Sequence, residues 1–216
     1  MQKETETEYK FLVNKEQFEK YFALLVKKYG KATTKLQINY YYDTESNTMN
    51  KNDVTVRVRQ ENDRLMWQIK RHTAKYGALF SSDEYCGSLD FLPGIIKFNE
   101  IKEDLILKGS LITERKTINF GTGGKLCFDF NMYLGTYDYE IEVEYSEQDK
   151  SSGEDIATII DSVTKVTGET KSNRFFKKWE EINNGKGAIT IYRAYVFHLS
   201  LDGKLRNTGQ AECNVR

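Results

Sequence analysis

The stretch ETETEYKFLV, residues 4–13, decides how this chain folds. Read with period two, Glu4, Glu6, Glu8 and Lys10 fall on one face. Thr5, Thr7, Tyr9, Phe11 and Val13 fall on the other. A β-strand sends alternate side chains to opposite faces. Three carboxylates and an ammonium therefore stand in one row, and like carboxylates held close together repel unless a cation lies between them.

The same alternation returns along the chain. In DVTVRVRQ (53–60), Thr55, Arg57 and Arg59 oppose Val54, Val56 and Val58. In RLMWQIKR (64–71), Met66, Gln68 and Lys70 oppose Leu65, Trp67 and Ile69. In YEIEVEYS (139–146), Glu140, Glu142 and Glu144 oppose Ile141, Val143 and Tyr145. LITERKTINF (111–120) is more mixed, with Arg115 beside Thr113 and Thr117. Further strand-like runs are KLQINYYYDT (35–44), LFSSDEYC (79–86) and KLCFDFNMY (125–133). Turn residues such as GTGG (121–124) separate many of them. About eight antiparallel strands suggest a closed barrel.

An antiparallel sheet with one wet face alternates in the same way. Three details favour an enclosed polar face instead. Like charges are grouped: carboxylates on the first and last strands, cations on the middle ones. The cations are mostly arginines, whose forked donors suit phosphate oxygens. The triplet Glu140, Glu142 and Glu144 repeats the spacing of Glu4, Glu6 and Glu8. Hard divalent ions such as Mg²⁺ or Mn²⁺ take such oxygen ligands. The pattern describes an α+β, mainly antiparallel barrel with a polar interior and helices packed outside. One helix is expected over 15–29, with Asn14 as N-cap, Gly30 as stop and Phe18, Phe22, Leu25 and Val26 as its apolar stripe. Another is expected over 153–167 and a short one over 98–108. Residues 171–183 should begin strand-like or as a turn and then become helical.

Composition narrows the function. Lys+Arg and Asp+Glu are both 32 in the 216 residues, which argues against a dedicated nucleic-acid binder. No apolar run approaches a membrane span, and no signal peptide is read at the N-terminus, so a cytoplasmic protein is expected. Cys86, Cys127 and Cys213 form neither a disulfide framework nor a metal motif. With only His72 and His198, a histidine cage or a serine triad lacks its parts. His72 reads as a surface residue, and Trp67 and Trp179 as packing. Tyr41 reads equally as tunnel lining or as packing.

Glu6-Thr7-Glu8-Tyr9-Lys10 resembles the ExExK signature of the CYTH domain, or triphosphate tunnel metalloenzyme, superfamily. The order that follows carries the resemblance: NYYYDT (39–44), RVR (57–59), Lys70, TER (113–115), Asp129, LGTYDYEIE (134–142) and KSNR (171–174). The resemblance implies a triphosphate-binding domain over 1–183 and leaves 184–216 as an extension without a role. It implies a metal site at Glu6, Glu8, Asp129, Glu140 and Glu142, with Glu144 and Glu4 as further carboxylates that could shift the set. It implies phosphate ligands at Lys10, Lys70, Arg57, Arg59, Arg115, Lys171 and Arg174, with Glu6, Glu8, Lys10, Arg57, Arg59 and Arg115 as the catalytic group. SSDEYC departs from the family, since Ser82 stands where a cation is expected and only Glu84 fits. The implied cofactor is Mg²⁺ or Mn²⁺, and the implied partner is a small triphosphate or polyphosphate. Hydrolysis of inorganic triphosphate comes first among the implied activities. Class IV adenylate cyclase, thiamine triphosphatase and a non-catalytic polyphosphate-binding module are the alternatives. Apolar residues in the tail are compatible with a homodimer.

Glu6→Gln or Glu8→Gln should abolish metal-dependent turnover. A wild-type rate in either variant, measured as phosphate release, would remove that residue from the site.

Overall fold

The computed structural model describes residues 2–98, 101–161 and 169–184. The long strands are β1 (Gln2–Val13), β2 (Thr33–Asp43), β3 (Val54–Glu61), β4 (Arg64–Tyr76) and β5 (Leu79–Leu89). After the two-residue β6 (Ile95–Ile96) come β7 (Leu105–Phe120), β8 (Gly124–Tyr133) and β9 (Thr136–Glu144). The helices are α1 (Lys15–Tyr29), α2 (Thr48–Lys51), α3 (Lys150–Asp161) and α4 (Lys171–Asn184). The strands pair in the order β2-β3-β4-β5-β1-β9-β8-β7, and β2 pairs back onto β7. Eight antiparallel strands thus close into a barrel, with β6 appended to β7. Closure leaves no long strand edge among these eight unpaired.

The sequence explains the joints. Leu134 and Gly135 both have positive φ and make the tight turn between β8 and β9, the backbone that matches strand twist in a two-residue hairpin. Asn14 caps α1, its side chain accepting from the Gln17 N–H while Gln17 accepts from the Asn14 N–H. Gly30 ends the helix at φ 103°. Gly87 lies opposite Trp67 on β4, and a Cβ there would stand 2.6 Å from the Trp67 Nε1. Glycine therefore lets the indole lie across the neighbouring strand, where it packs edge-on against Phe98.

The barrel is apolar outside. Phe11, Ile118, Leu126, Phe128, Ile141 and Val143 are covered by Phe18, Tyr21 and Leu25 of α1 and by Ile156 and Ile160 of α3. A second outer patch, Tyr42, Val56, Val58 and Leu105, packs with Met49 of α2 and with Ile96, Phe98 and Ile101. The helix expected over 98–108 does not form there: Leu105–Lys108 already belong to β7. Pairing to Tyr42 and Asp43 of β2 claims Ile106 and Leu107, and short apolar runs read alike as helix or strand. The α3 reading holds to Asp161, and its expected continuation to 167 falls outside the described residues, as does 185–216.

α4 closes one end of the tunnel. Its Phe175 and Phe176 pack with the inward-facing Tyr41, Leu111 and Tyr133, and the Phe175 ring lies 4.8 Å from that of Tyr41. Gly109 makes room: it has φ +150°, and a Cβ there would meet Phe175 at 3.0 Å. α4 is helical from Lys171, not strand-like or turned as expected, because Thr170 caps it by accepting from the Asn173 N–H at 3.1 Å. Tyr41 is therefore both lining and packing. Trp179 joins the same cluster, with the Lys108 ammonium 4.8 Å from its ring.

Phe175→Ala should destabilise the fold by about 3–5 kcal/mol. Urea unfolding checks this, and a loss below about 1 kcal/mol would show that the plug is not core.

Candidate metal and phosphate site

The inward faces enclose a cavity of about 500 Å³, within the usual range for small-molecule sites. Its described lining is almost wholly polar. Tyr41 and His72 supply the only rings among the lining residues. Glu6, Glu8, Lys10, Arg57, Arg59, Lys70, Glu84, Arg115, Glu142, Glu144 and Lys171 all reach it.

Strand register places the carboxylates. Glu8 lies opposite Glu144, and Lys10 opposite Glu142. Glu140 lies opposite Asp129. Two triads result, with ligand oxygens within 4.8 Å of one another: Glu6, Glu8 and Glu144, and Asp129, Glu140 and Glu142. Cys127 forms a third group with Glu142 and Glu144. The Glu4 carboxylate, expected in the first row, lies outside the described side chains.

Cations already sit among these oxygens. Lys10 Nζ is 2.6 Å from Glu8 and 2.6 Å from Glu142. Lys70 pairs with Glu6, with Glu8 at 2.9 Å and with Glu84 at 2.9 Å. Arg115 forks onto Asp129 at 2.8 and 2.6 Å and also meets Glu142 and Glu144. From α4, Lys171 meets Asp129, Glu140 and Glu142. Arg174 meets Asp138 at 2.8 Å and Glu140 at 3.2 Å. Burial alone would lower the Lys10 ammonium, but Glu142 and Glu8 hold it well above its ordinary range. Burial alone would raise Glu142, but Lys10, Lys171 and Arg115 hold it well below.

The compensation is uneven, and the unevenness defines the site. The Glu144 carboxyl is raised, by burial and by Glu6, Glu142 and Glu8, against Arg115. Arg115 thus does not fully offset burial and the crowding of carboxylates around Glu144. Arg57 and Arg59 show the opposite. Arg57 donates from Nε to Gln68 at 2.9 Å, and Arg59 to Asn39 at 3.0 Å. Neither guanidinium has an ion pair among the described residues. Burial, together with Arg57 and Arg115, lowers Arg59 to about 10. Glu144 on one wall and the Arg57 and Arg59 pair on another are therefore less fully compensated than the rest of the network.

The expected residues fall into two groups. Glu6, Glu8, Lys10, Arg57, Arg59, Lys70, Arg115, Glu142 and Lys171 line the cavity, whereas Asp129, Glu140 and Arg174 lie behind the lining. Hard oxygen donors fit Mg²⁺ or Mn²⁺, and the first triad is the one whose three carboxylates all face the cavity. Several residues escaped the sequence reading. His72 is not on the surface: it lines the tunnel two residues after Lys70, edge-on to Phe80, with a buried Nδ1 that has no hydrogen-bond partner among the described residues. Burial, Lys70 and Lys10 lower it to about 4, so it is neutral at pH 7. Its parity with Gln68 and Lys70 was the available signal. Gln68, Asn39 and Asp138 share inward parity with residues that were singled out, but their amides and carboxylate gain meaning only from partners on other strands. Ser82 is buried opposite Glu6, and Lys70 from the adjacent strand supplies the cation missing there.

The family model of the CYTH domain matches residues 4–176. No curated protein matches the chain. Among solved structures, a Bacillus halodurans protein with an adenylate cyclase designation is 27% identical. Its TM-score is 0.63 over 82% of this chain and 100% of that one. A Hippeastrum protein named for an adenylyl cyclase with a dominant triphosphatase activity is 16% identical. It has TM-score 0.63 over 80% of this chain and 95% of that one. The Mimivirus capping enzyme triphosphatase is 11% identical, with TM-score 0.52 over 74% of this chain and 89% of that one. The last two are likenesses of fold. Among the described residues, no helix is long and apolar enough to cross a membrane.

The ion pairs make the barrel acid-sensitive. Burial would raise Glu84, but Lys70 and Arg57 outweigh it and lower the carboxyl from an ordinary 4.5 to about 2. A depressed folded-state pKa gives stability that is present above 4.5 and lost as pH falls towards 2. Glu84→Gln should therefore flatten the fall in stability between these values. An unchanged slope in acid-unfolding curves would refute the pairing.

Proposed function

The chain belongs to the CYTH domain family, and on that premise we propose a divalent-metal-dependent triphosphatase that acts first on inorganic triphosphate. One observation carries the reading. One cavity is lined by the carboxylates of Glu6, Glu8 and Glu144 and by Arg57 and Arg59, which have no ion pair among the described residues. A metal–triphosphate complex has the complementary charges.

Glu6, Glu8 and Glu144 would hold Mg²⁺ or Mn²⁺, with Glu142 beside them. This moves the ligand set away from Asp129 and Glu140, which face Arg115, Lys171 and Arg174 instead of the cavity. When bound, the ion neutralises phosphate oxygens and makes a coordinated water more acidic. Arg57 and Arg59 receive the phosphate chain, because they need break no ion pair to do so. Gln68 and Asn39 hold their Nε atoms and so aim the remaining guanidinium donors. Lys10 and Lys70 neutralise Glu6 and Glu8 in the free protein and would be free for phosphate oxygens if those carboxylates held the ion. Arg115 steadies Glu142 and Glu144 and would stabilise charge on the leaving phosphate. Removal of one such electrostatic contact commonly costs ~10²–10³ in rate. α4 excludes water from the closed end.

The choice of inorganic triphosphate rests on the lining. Among the described lining residues only Tyr41 and His72 carry rings, and both stand against core rings, Phe175 and Phe80, so the lining offers charge far more than stacking surface. A cyclase reading has one supporting observation, the designation of the 27% identical Bacillus halodurans structure. The test is parallel incubation with tripolyphosphate, thiamine triphosphate and ATP, with and without Mg²⁺ or Mn²⁺. Metal-dependent orthophosphate release, fastest from tripolyphosphate, is expected. Cyclic AMP and diphosphate from ATP would overturn the reading in favour of the cyclase.

A further inference from the structure

The two carboxylate triads are chemically alike, but α4 distinguishes them. Lys171, its first residue, brings Nζ to 2.8 Å from Asp129 Oδ2 and 2.8 Å from Glu142 Oε1, and into contact with Glu140 Oε2. These are the three members of the second triad. An ammonium has three N–H donors, and each has a carboxylate here. The ammonium therefore stands where a divalent ion would collect the same oxygens. Arg115 forks onto Asp129, and Arg174 reaches Glu140. Burial of Asp129, which would raise its carboxyl, is outweighed by Arg115 and Lys171, so it stays ionised.

The first triad has no such occupant. Lys70 touches Glu6 and Glu8 but also turns to Glu84, and it leaves Glu144 alone. Glu144 meets Arg115 at 3.1 Å and the half-exposed Lys125 only at 3.4 Å. No single ammonium among the described residues spans all three carboxylates of that group.

We infer that Lys171 is a resident counter-cation that fills the second triad and limits the tunnel to one divalent ion. The expected total of one rests on the proposed metal site at Glu6, Glu8 and Glu144. The occupancy of the second triad by Lys171 does not. The position is enforced by the fold: Lys171 is buried, Thr170 caps the helix behind it, and Phe175 one turn later is locked in the aromatic plug. The inferred ammonium also fastens α4 to the barrel without any metal.

The test is the number of Mn²⁺ ions bound per chain, read by electron paramagnetic resonance and calorimetry on the full chain without substrate. Thermal unfolding is first used to establish that each variant is folded. Wild type should bind one Mn²⁺, and Lys171→Gln should bind one more. In wild type background, Asp129→Asn should leave the count unchanged, which tests the idea even if Lys171→Gln does not fold. Equal counts in wild type and Lys171→Gln would overturn the inference. So would loss of an ion on Asp129→Asn, since it would make the second triad a metal site already. A count of none in wild type and one in Lys171→Gln would support the role of Lys171 while removing the metal from Glu6, Glu8 and Glu144.

Discussion

Every part of this structure answers to one constraint: carboxylates buried inside a closed barrel must meet a positive charge. Water cannot screen them as it would on an open face, and an uncompensated buried ion costs several kcal/mol. Lys10, Lys70, Arg115, Lys171 and Arg174 meet that demand from four different elements. Each spans two or more carboxylates, so the inner network ties β1, β4, β5, β7, β8, β9 and α4 together. It is part of what fixes α4 on the end of the tunnel.

An interior of this kind turns the usual barrel inside out. With the polar faces turned inward, Phe11, Phe128 and Ile141 project outward and need a cover. α1 and α3 provide it, with Phe18, Tyr21 and Leu25 from one and Ile156 and Ile160 from the other. Over Tyr42, Val56 and Val58, Met49 of α2 together with Ile96, Phe98 and Ile101 performs the same task. The hydrophobic core thus lies between barrel and helices, and the space at the centre is left to charge.

Much of this was legible in the sequence because period two is a local signal. The alternations around Glu6, Arg57, Lys70 and Glu142 assigned inward and outward faces correctly without any knowledge of pairing. The Asn14 cap and Gly30 stop fixed α1 for the same reason. What was hidden depends on long-range contacts. Leu105–Lys108 are strand because β2 is there to pair with them, and nothing within LILK says so. KSNR carries no period, and its helical start comes from Thr170. His72 was inward by parity, but a lone histidine beside Arg71 offered no sign of enclosure. Least legible was which glutamates remain open to a metal. That depends on where Lys171 and Arg115 land, and Lys10 alone reaches a partner 132 residues away.

The same pairing changes what binding means here. A tunnel whose carboxylates and cations largely satisfy one another takes up a bare metal ion only at a cost. Such an ion must displace Lys70 or Lys10 from Glu6 and Glu8 and strand an ammonium in a buried site. A bare phosphate chain fares better, since Arg57 and Arg59 have only the neutral Gln68 and Asn39 as partners. In the proposed site, metal and phosphate arriving together would solve both problems: the metal would take the carboxylates, and the released ammonium groups would turn to phosphate oxygens. Charge conservation within a closed barrel therefore favours a metal–phosphate complex over either component alone. Under the proposed function, selectivity for triphosphate need not reside in any one contact, because it would follow from the number of charges that must exchange at once.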